Sequence, residues 1–239
     1  MGGAVRISVV ELIGYREWTE SLGNDREWRI QIIQSRLYST LQHVASRAGG
    51  FALPLRYDYM LVVSSNMGPD RHKEMLDELL SIAPTPVRIA SACGPTPREA
   101  EARASELLRG LEPNMHAYEE CGGEEYVATA HIDINDFTRR TSCRDIYDTY
   151  KTILDLLGRL YKGIGSLGGL VSYLGGDNVA AFIPSSGVER LAEILDEDLK
   201  AGVGIAPTAR RALRLAAEAL HEIRMSGNKE RRIVVRAEP

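Results

Sequence analysis

A chain of 239 residues with a net charge of −4 is the size of one large domain or two small ones. That charge argues against general nucleic-acid binding, whose footprint is a basic stripe, and no apolar run approaches the ~20 residues needed to span a bilayer. The start of the chain lacks the charged, apolar and small-residue order of a secretory leader, so the expectation is a cytoplasmic protein with no membrane partner. The three cysteines (Cys93, Cys121, Cys143) and five histidines show no CxxC, HExxH or HxxxH spacing, which predicts neither a disulfide nor zinc.

Val5 to Leu12 is rich in β-formers and reads as a strand. Ile30, Ile33, Leu37, Leu41 and Val44 recur at helical spacing, giving an amphipathic helix that ends at Gly49-Gly50. Phe51–Leu55 and Met60–Val63 flank Arg56-Tyr57-Asp58-Tyr59 as a hairpin. A helix follows over 70–82, a strand over 87–92, and a helix over 97–110 opened by Thr96 as N-cap and Pro97 at the first helical position. Residues 111–124 lose periodicity and concentrate Pro, Gly and acid, which predicts a linker between domains at 1–112 and 124–239.

After it the same order begins again. Tyr126 to Asp133 reads as a strand, and Ile146, Tyr150, Ile153, Leu154, Leu157 and Leu160 mark a helix ending near Gly163 and Gly165. A hairpin spans Leu170–Leu174 and Val179–Phe182 around Gly175-Gly176-Asp177-Asn178. Val188, Leu191, Ile194 and Leu195 mark a further helix, then come a strand from Lys200 to Ile205, a helix from Pro207-Thr208 through Arg224, and a short strand at Ile233–Val235. Three landmarks align the halves: Val10–Tyr15 with Ile132–Phe137, Tyr57–Val62 with Gly176–Ala181, and Ala92–Arg98 with Gly204–Arg210. The strand–helix–hairpin–helix–strand order is that of the β-α-β-β-α-β unit. The expected fold is therefore α+β: two ferredoxin-like domains in tandem, with antiparallel sheets and helices on one face.

In that topology the first strand and the hairpin lie side by side, so Asp133 and Asp177 meet at the strand ends. Two carboxylates there repel unless a cation or a proton lies between them, and oxygen donors suit Mg²⁺, which shares its shell with substrate phosphates. The plainer reading makes Asp133 a turn cap and Gly175-Gly176-Asp177-Asn178 a simple hairpin loop. Joint placement favours metal, with the Ile134 carbonyl as a third donor. Asn135 and Asp136 face opposite sides of a continuing strand, and Asp136 or Thr138 serves equally as a turn cap or a site residue. Phe137 to Arg144, with Thr138, Arg139 and Arg140, precedes a helix and suits a triphosphate. Taken singly, each of these arginines reads first as a solvated charge, and the same holds for Lys151. In the first half Glu11 replaces the first aspartate while Asp58 survives, which predicts one metal site per chain. Tyr57, Tyr59 and Arg56 there suit a purine, although such tyrosines more often belong to a core. His131 reads as packing.

Gln34–Tyr38, His131–Asp136, Tyr147–Tyr150 and Gly175–Asn178 together resemble the archaeal GTP cyclohydrolase III family over most of the chain. Asp133-x-Asn135-x-Phe137 with Gly175-Gly176-Asp177 is similar, more distantly, to the palm-type cores of nucleotidyl and diguanylate cyclases. The resemblance implies a Mg²⁺-dependent enzyme that opens the imidazole ring of GTP, keeps the formyl group and releases two orthophosphates. It also implies activation by a monovalent cation such as K⁺, and a homo-oligomer. On this reading Asp133, Asp177 and Asp136 serve catalysis, and Asp133, Ile134 and Asp177 hold the metal. Asn135, Phe137, Thr138, Arg139, Arg140, Lys151, Gly175, Gly176, Asn178, Tyr57 and Asp58 contact substrate. A departure stands in the first half, where Ile13-Gly14 and Tyr57-Asp58-Tyr59 replace the family's Asp-Asn and Phe-Asp-Asn. The competing functions are cyclic-nucleotide synthesis and GTP sensing without turnover.

Overall fold

The computed structural model describes residues 4–124, 126–226 and 232–238. The chain divides into two compact units, Met1–Pro95 with Glu99–Glu125, and Thr96–Arg98 with Tyr126–Pro239.

The first unit contains β1 (Val5–Leu12), α1 (Tyr15–Ser21), α2 (Glu27–Arg47), β2 (Phe51–Leu53), β3 (Tyr59–Val63), α3 (Pro69–Leu80), β4 (Val87–Gly94), α4 (Pro97–Arg109) and β5 (His116–Tyr118). Its sheet has the order β2-β3-β1-β4-β5. β1 is central and antiparallel to β3 and β4, while β5 runs parallel to β4. Alternation along β1 turns Val10 and Leu12 to a core shared with Leu37, Leu41 and Val44 of α2 and Met75, Leu76 and Leu79 of α3. The same face carries Arg6, buried to 1% exposure. Arg6 pairs with Glu124 at 2.7 Å and lies 3.9 Å over the Tyr118 ring.

The second unit repeats the plan with β6 (Val127–Ile134), α5 (Phe137–Thr141), α6 (Ile146–Ser166), β7 (Leu170–Gly175), β8 (Asn178–Ile183), α7 (Leu191–Ile194), β9 (Leu199–Ala206), α8 (Ala209–Ser226) and β10 (Ile233–Ala237). Its sheet order, β10-β9-β6-β8-β7, is the same as that of the first when read by element. Ala128, Ala130, Ile132 and Ile134 of β6 face Ile153, Leu156, Leu160 and Ile164 of α6. The opposite face belongs to α8. Gly202 and Gly204, which alternate with the α6-facing Ala201 and Val203, lie so close to α8 that a Cβ on either would collide with the carbonyl of Ala216 or Ala212. That contact, with Ala212, Ala216 and Ala219 fully buried, brings helix backbone onto strand backbone.

The α+β class and the tandem ferredoxin-like order stand, and four expectations need correction. The helices do not share one face, because α8 forms the crossover between the parallel pair β9 and β10 and covers the far side of the sheet. The stretch expected as a linker over 111–124 contains β5, paired from Ile89↔His116 to Ser91↔Tyr118, and Glu124 bridges Ala4, so it belongs to the first unit rather than lying between domains. The helix read over 188–195 is a 3₁₀ turn at Ser185–Gly187 followed by the single turn α7. Finally, Cys93 and Cys121 form a disulfide with their Cα atoms 6.3 Å apart. β4 and the segment after β5 bring them together, which their separation of 28 residues in sequence does not announce.

Closing a loop of that length restricts the unfolded chain by roughly 3.6 kcal/mol. Cys93→Ser should lower the unfolding free energy by about that amount, and treatment with a reductant should give the wild type the same stability as the variant in denaturant titrations. Gly204→Val, which forces a side chain into the β9–α8 contact, should cost about 3 kcal/mol or prevent folding, read by the thermal midpoint.

Candidate metal and nucleotide site

Alternation along β6 sends Thr129, His131 and Asp133 to the α8 face. Asp133, only 4% exposed, accepts at Oδ2 from Lys200 Nζ of the neighbouring strand at 2.9 Å and from Arg224 of α8, Nη2 at 3.0 Å and Nε at 3.3 Å. Lys200 is its ladder partner on β9, whereas pairing with β8 stops at Ile132↔Val179. Asp133 therefore stands just past the ladder, beside the β7–β8 turn. That turn is a two-residue loop, Gly176-Asp177, closed by the Gly175↔Asn178 pair. Gly175 and Gly176 take φ of +101° and +61°, backbone that a glycine adopts without a steric penalty.

The turn brings the Asp177 carboxyl into hydrogen-bond contact with Asp133. Burial first, then the hydrogen bond and charge of Asp133, push Asp177 up to about 6. Asp133 moves the other way. Burial opposes its charge, but hydrogen bonds from Lys200, Asp177 and Arg224 prevail and hold it below the usual carboxylate range. Below about pH 6 the proton therefore rests on Asp177 while Asp133 remains ionised. An all-oxygen pair of this kind could hold a hard divalent cation. Asn178 completes the arrangement, donating from Nδ2 to Asp177 Oδ1 at 3.1 Å and accepting at Oδ1 from His131 Nε2 at 2.9 Å.

The other expected residues divide. Ile134 closes β6 with its side chain in the core, and the Asn135 amide donates to the Asp198 carbonyl at 2.8 Å. Asp136 precedes α5 in the left-handed region, φ 55°, so it serves as the turn into the helix. Phe137 packs on the core, while Thr138 and Arg139 are exposed. Arg140 pairs with Asp198 at 3.2 Å and Lys151 with Asp148 at 2.7 Å, so neither ion pair involves the carboxylate pair. Asn178, expected on substrate, turns its amide inward to His131 and Asp177.

The first unit shows what the same plan becomes without the pair. Glu11 receives the Tyr59 hydroxyl and Arg88 Nε, each at 2.5 Å. Burial, and then the Glu11 carboxylate, push the Tyr59 hydroxyl up to about 12. Asp58 instead accepts from Arg56 at 2.6 Å and from the Tyr59 amide at 3.1 Å. Tyr57 is half-buried with φ 68°.

Sequence reading missed Lys200 and Arg224. A signal for Lys200 was present, because the repeat aligns it with Arg88 and each base faces the acid of its own central strand. Replacing Asp133 by Asn removes the charge beside Asp177, so the Asp177 carboxyl should fall from about 6 toward an ordinary aspartate. A ¹³C titration of the side-chain carboxyl, without divalent cation, checks this. With the wild type, the stabilisation from Asp177 should be complete below the ordinary aspartate range and lost as pH rises through about 6, because the folded state holds its proton more tightly than the unfolded state.

A family model described as GTP cyclohydrolase III matches residues 7–238. GTP cyclohydrolase III of Aeropyrum pernix is 50% identical over 228 residues, covering 94% of each chain. That of Saccharolobus solfataricus is 34% identical over 228 residues, covering 94% of this chain and 97% of its own. Among solved structures, the active GGEEF domain of a diguanylate cyclase from Vibrio cholerae aligns with TM-score 0.40 and 17% identity, over 59% of this chain and 92% of that one. A bacterial light-regulated adenylyl cyclase aligns with TM-score 0.35 and 10% identity, over 97% and 85%.

Proposed function

The chain belongs to the GTP cyclohydrolase III family, and from this premise we propose that it hydrolyses GTP at the Asp133–Asp177 pair. The reaction opens the imidazole ring, leaves the formyl group on the nucleotide and releases the two outer phosphates as orthophosphate. The product is 2-amino-5-formylamino-6-(5-phosphoribosylamino)pyrimidin-4(3H)-one, a precursor for flavin and deazaflavin synthesis. The observation that carries the reading is the contact between two carboxyls at the end of a central strand, in a chain whose family acts on GTP by name.

Asp133, Asp177 and the Ile134 carbonyl would hold Mg²⁺. When bound, the cation polarises phosphate oxygens and lowers the pKa of a coordinated water. The chain's own groups do the rest. Lys200 and Arg224 keep Asp133 ionised. Arg224, with 45% of its side chain exposed, has N–H groups facing solvent at the same carboxylate and is placed to receive a phosphate oxygen. The turn glycines leave backbone, not side chains, beside the pair, which lets a triphosphate approach closely. K⁺ activation and a homo-oligomer belong to the same reading.

Purified protein with GTP, Mg²⁺ and K⁺ should lose the guanine ultraviolet band and release two orthophosphates per nucleotide. Pyrophosphate with a cyclic nucleotide would instead mark a cyclase, and binding without turnover a sensor. Asp177→Asn should reduce turnover at least ~100-fold while leaving the thermal midpoint within a few degrees. Undiminished turnover would remove Asp177 from the site.

A further inference from the structure

On the α8 face of β6, the ring of His131 is left unused by the reading above. His131 stands two residues before Asp133 on the same face, and its ring nitrogens differ sharply. Nε2 lies 2.9 Å from Asn178 Oδ1, whereas Nδ1 is buried without a partner among the described residues. Oδ1 carries no proton, so Nε2 must donate, and the neutral ring is held as the Nε2–H tautomer. The consequence passes to Asn178. With Oδ1 occupied by His131, the amide can present only its NH₂ group to Asp177, and Nδ2 donates to Asp177 Oδ1 at 3.1 Å. Rotating the amide by half a turn would place two acceptors against each other at Asp177 and two donors against each other at His131. Both hydrogen bonds would be lost together.

We propose that His131 is a positioning residue: its Nε2–H fixes the rotation of the Asn178 amide, and that amide aims the Asp177 carboxyl at Asp133. The inference rests on the metal reading of the carboxyl pair. It assigns a specific purpose to a residue that composition and pattern place in the packing. It also separates two ways a histidine can matter. A packing histidine is replaceable by any side chain of similar volume, while a positioning histidine is replaceable only by one with a donor in the Nε2 place. Glutamine reaches that place; asparagine reaches only that of Nδ1.

The test measures Mn²⁺ uptake by the full-length protein without nucleotide, from the electron paramagnetic resonance signal of free Mn²⁺, alongside the thermal midpoint. His131→Gln should bind within about twofold of wild type. His131→Asn and Asn178→Ser should bind ~10-fold more weakly or worse, the usual cost of losing a partner that orients a metal ligand. The double variant should be no weaker than either single one, because both remove the same contact chain. Asn178→Ser lies in the hairpin and leaves β6 packing intact, so it carries the test even where a β6 variant folds poorly. Affinity in His131→Asn equal to wild type, or a His131→Gln as weak as His131→Asn, overturns the positioning role while leaving the metal reading in place. A wild type that takes up no Mn²⁺ overturns both.

Discussion

A carboxylate buried in a sheet must be matched by positive charge or lose its own, and that constraint at Asp133 orders the second unit. Lys200 answers it from β9 and Arg224 from α8, so two consecutive elements, both far in sequence from β6, are committed to one oxygen atom. Arg224 reaches that atom because α8 lies almost on the strand backbone, which only Gly202 and Gly204 permit. The hairpin turn supplies the second carboxyl through two glycines in left-handed geometry. Ladder register, helix approach and turn type therefore converge on one pair of side chains, and a change in any of them reaches the pair without touching it.

The first unit solves the same problem by different chemistry. Glu11, one methylene longer, receives Arg88 and Tyr59, and Asp58 turns to Arg56. Glu11 and Asp58 are each satisfied by a base and a further donor rather than by one another. In the second unit Asp133 keeps two bases, Lys200 and Arg224, and has a second acid, Asp177, beside it. The two units thus differ in where the hairpin aspartate turns: Asp58 to Arg56, Asp177 to the acid of the central strand.

Much of this plan was legible from residue spacing. Ile30, Leu37 and Leu41 at helical intervals, and alternating Ala128, Ala130 and Ile132, mark α2 and β6 because burial of one face imposes those periods. The recurrence of acid, hairpin aspartate and Pro-Thr turn revealed the duplication and placed Asp133 against Asp177. What was illegible depends on long-range pairing. β5 is three residues long and its segment has no internal period, so only β4 defines it. Cys93 and Cys121 meet through a parallel pairing, not a motif. Arg224 is one of several arginines on α8, and nothing local distinguishes the one that lies 91 positions from its partner.

The disulfide has a consequence for how the first unit comes apart. It encloses α4 and β5 in a single ring of chain and ends beside Arg6, whose charge is satisfied by Glu124 just beyond it. Peeling away the edge strand would break the Arg6–Glu124 ion pair and lift Tyr118 off the guanidinium. The edge of this sheet is therefore stitched to its interior electrostatically as well as covalently. Partial opening from that side is costly even before the main core is disturbed, and the unit is biased toward opening all at once.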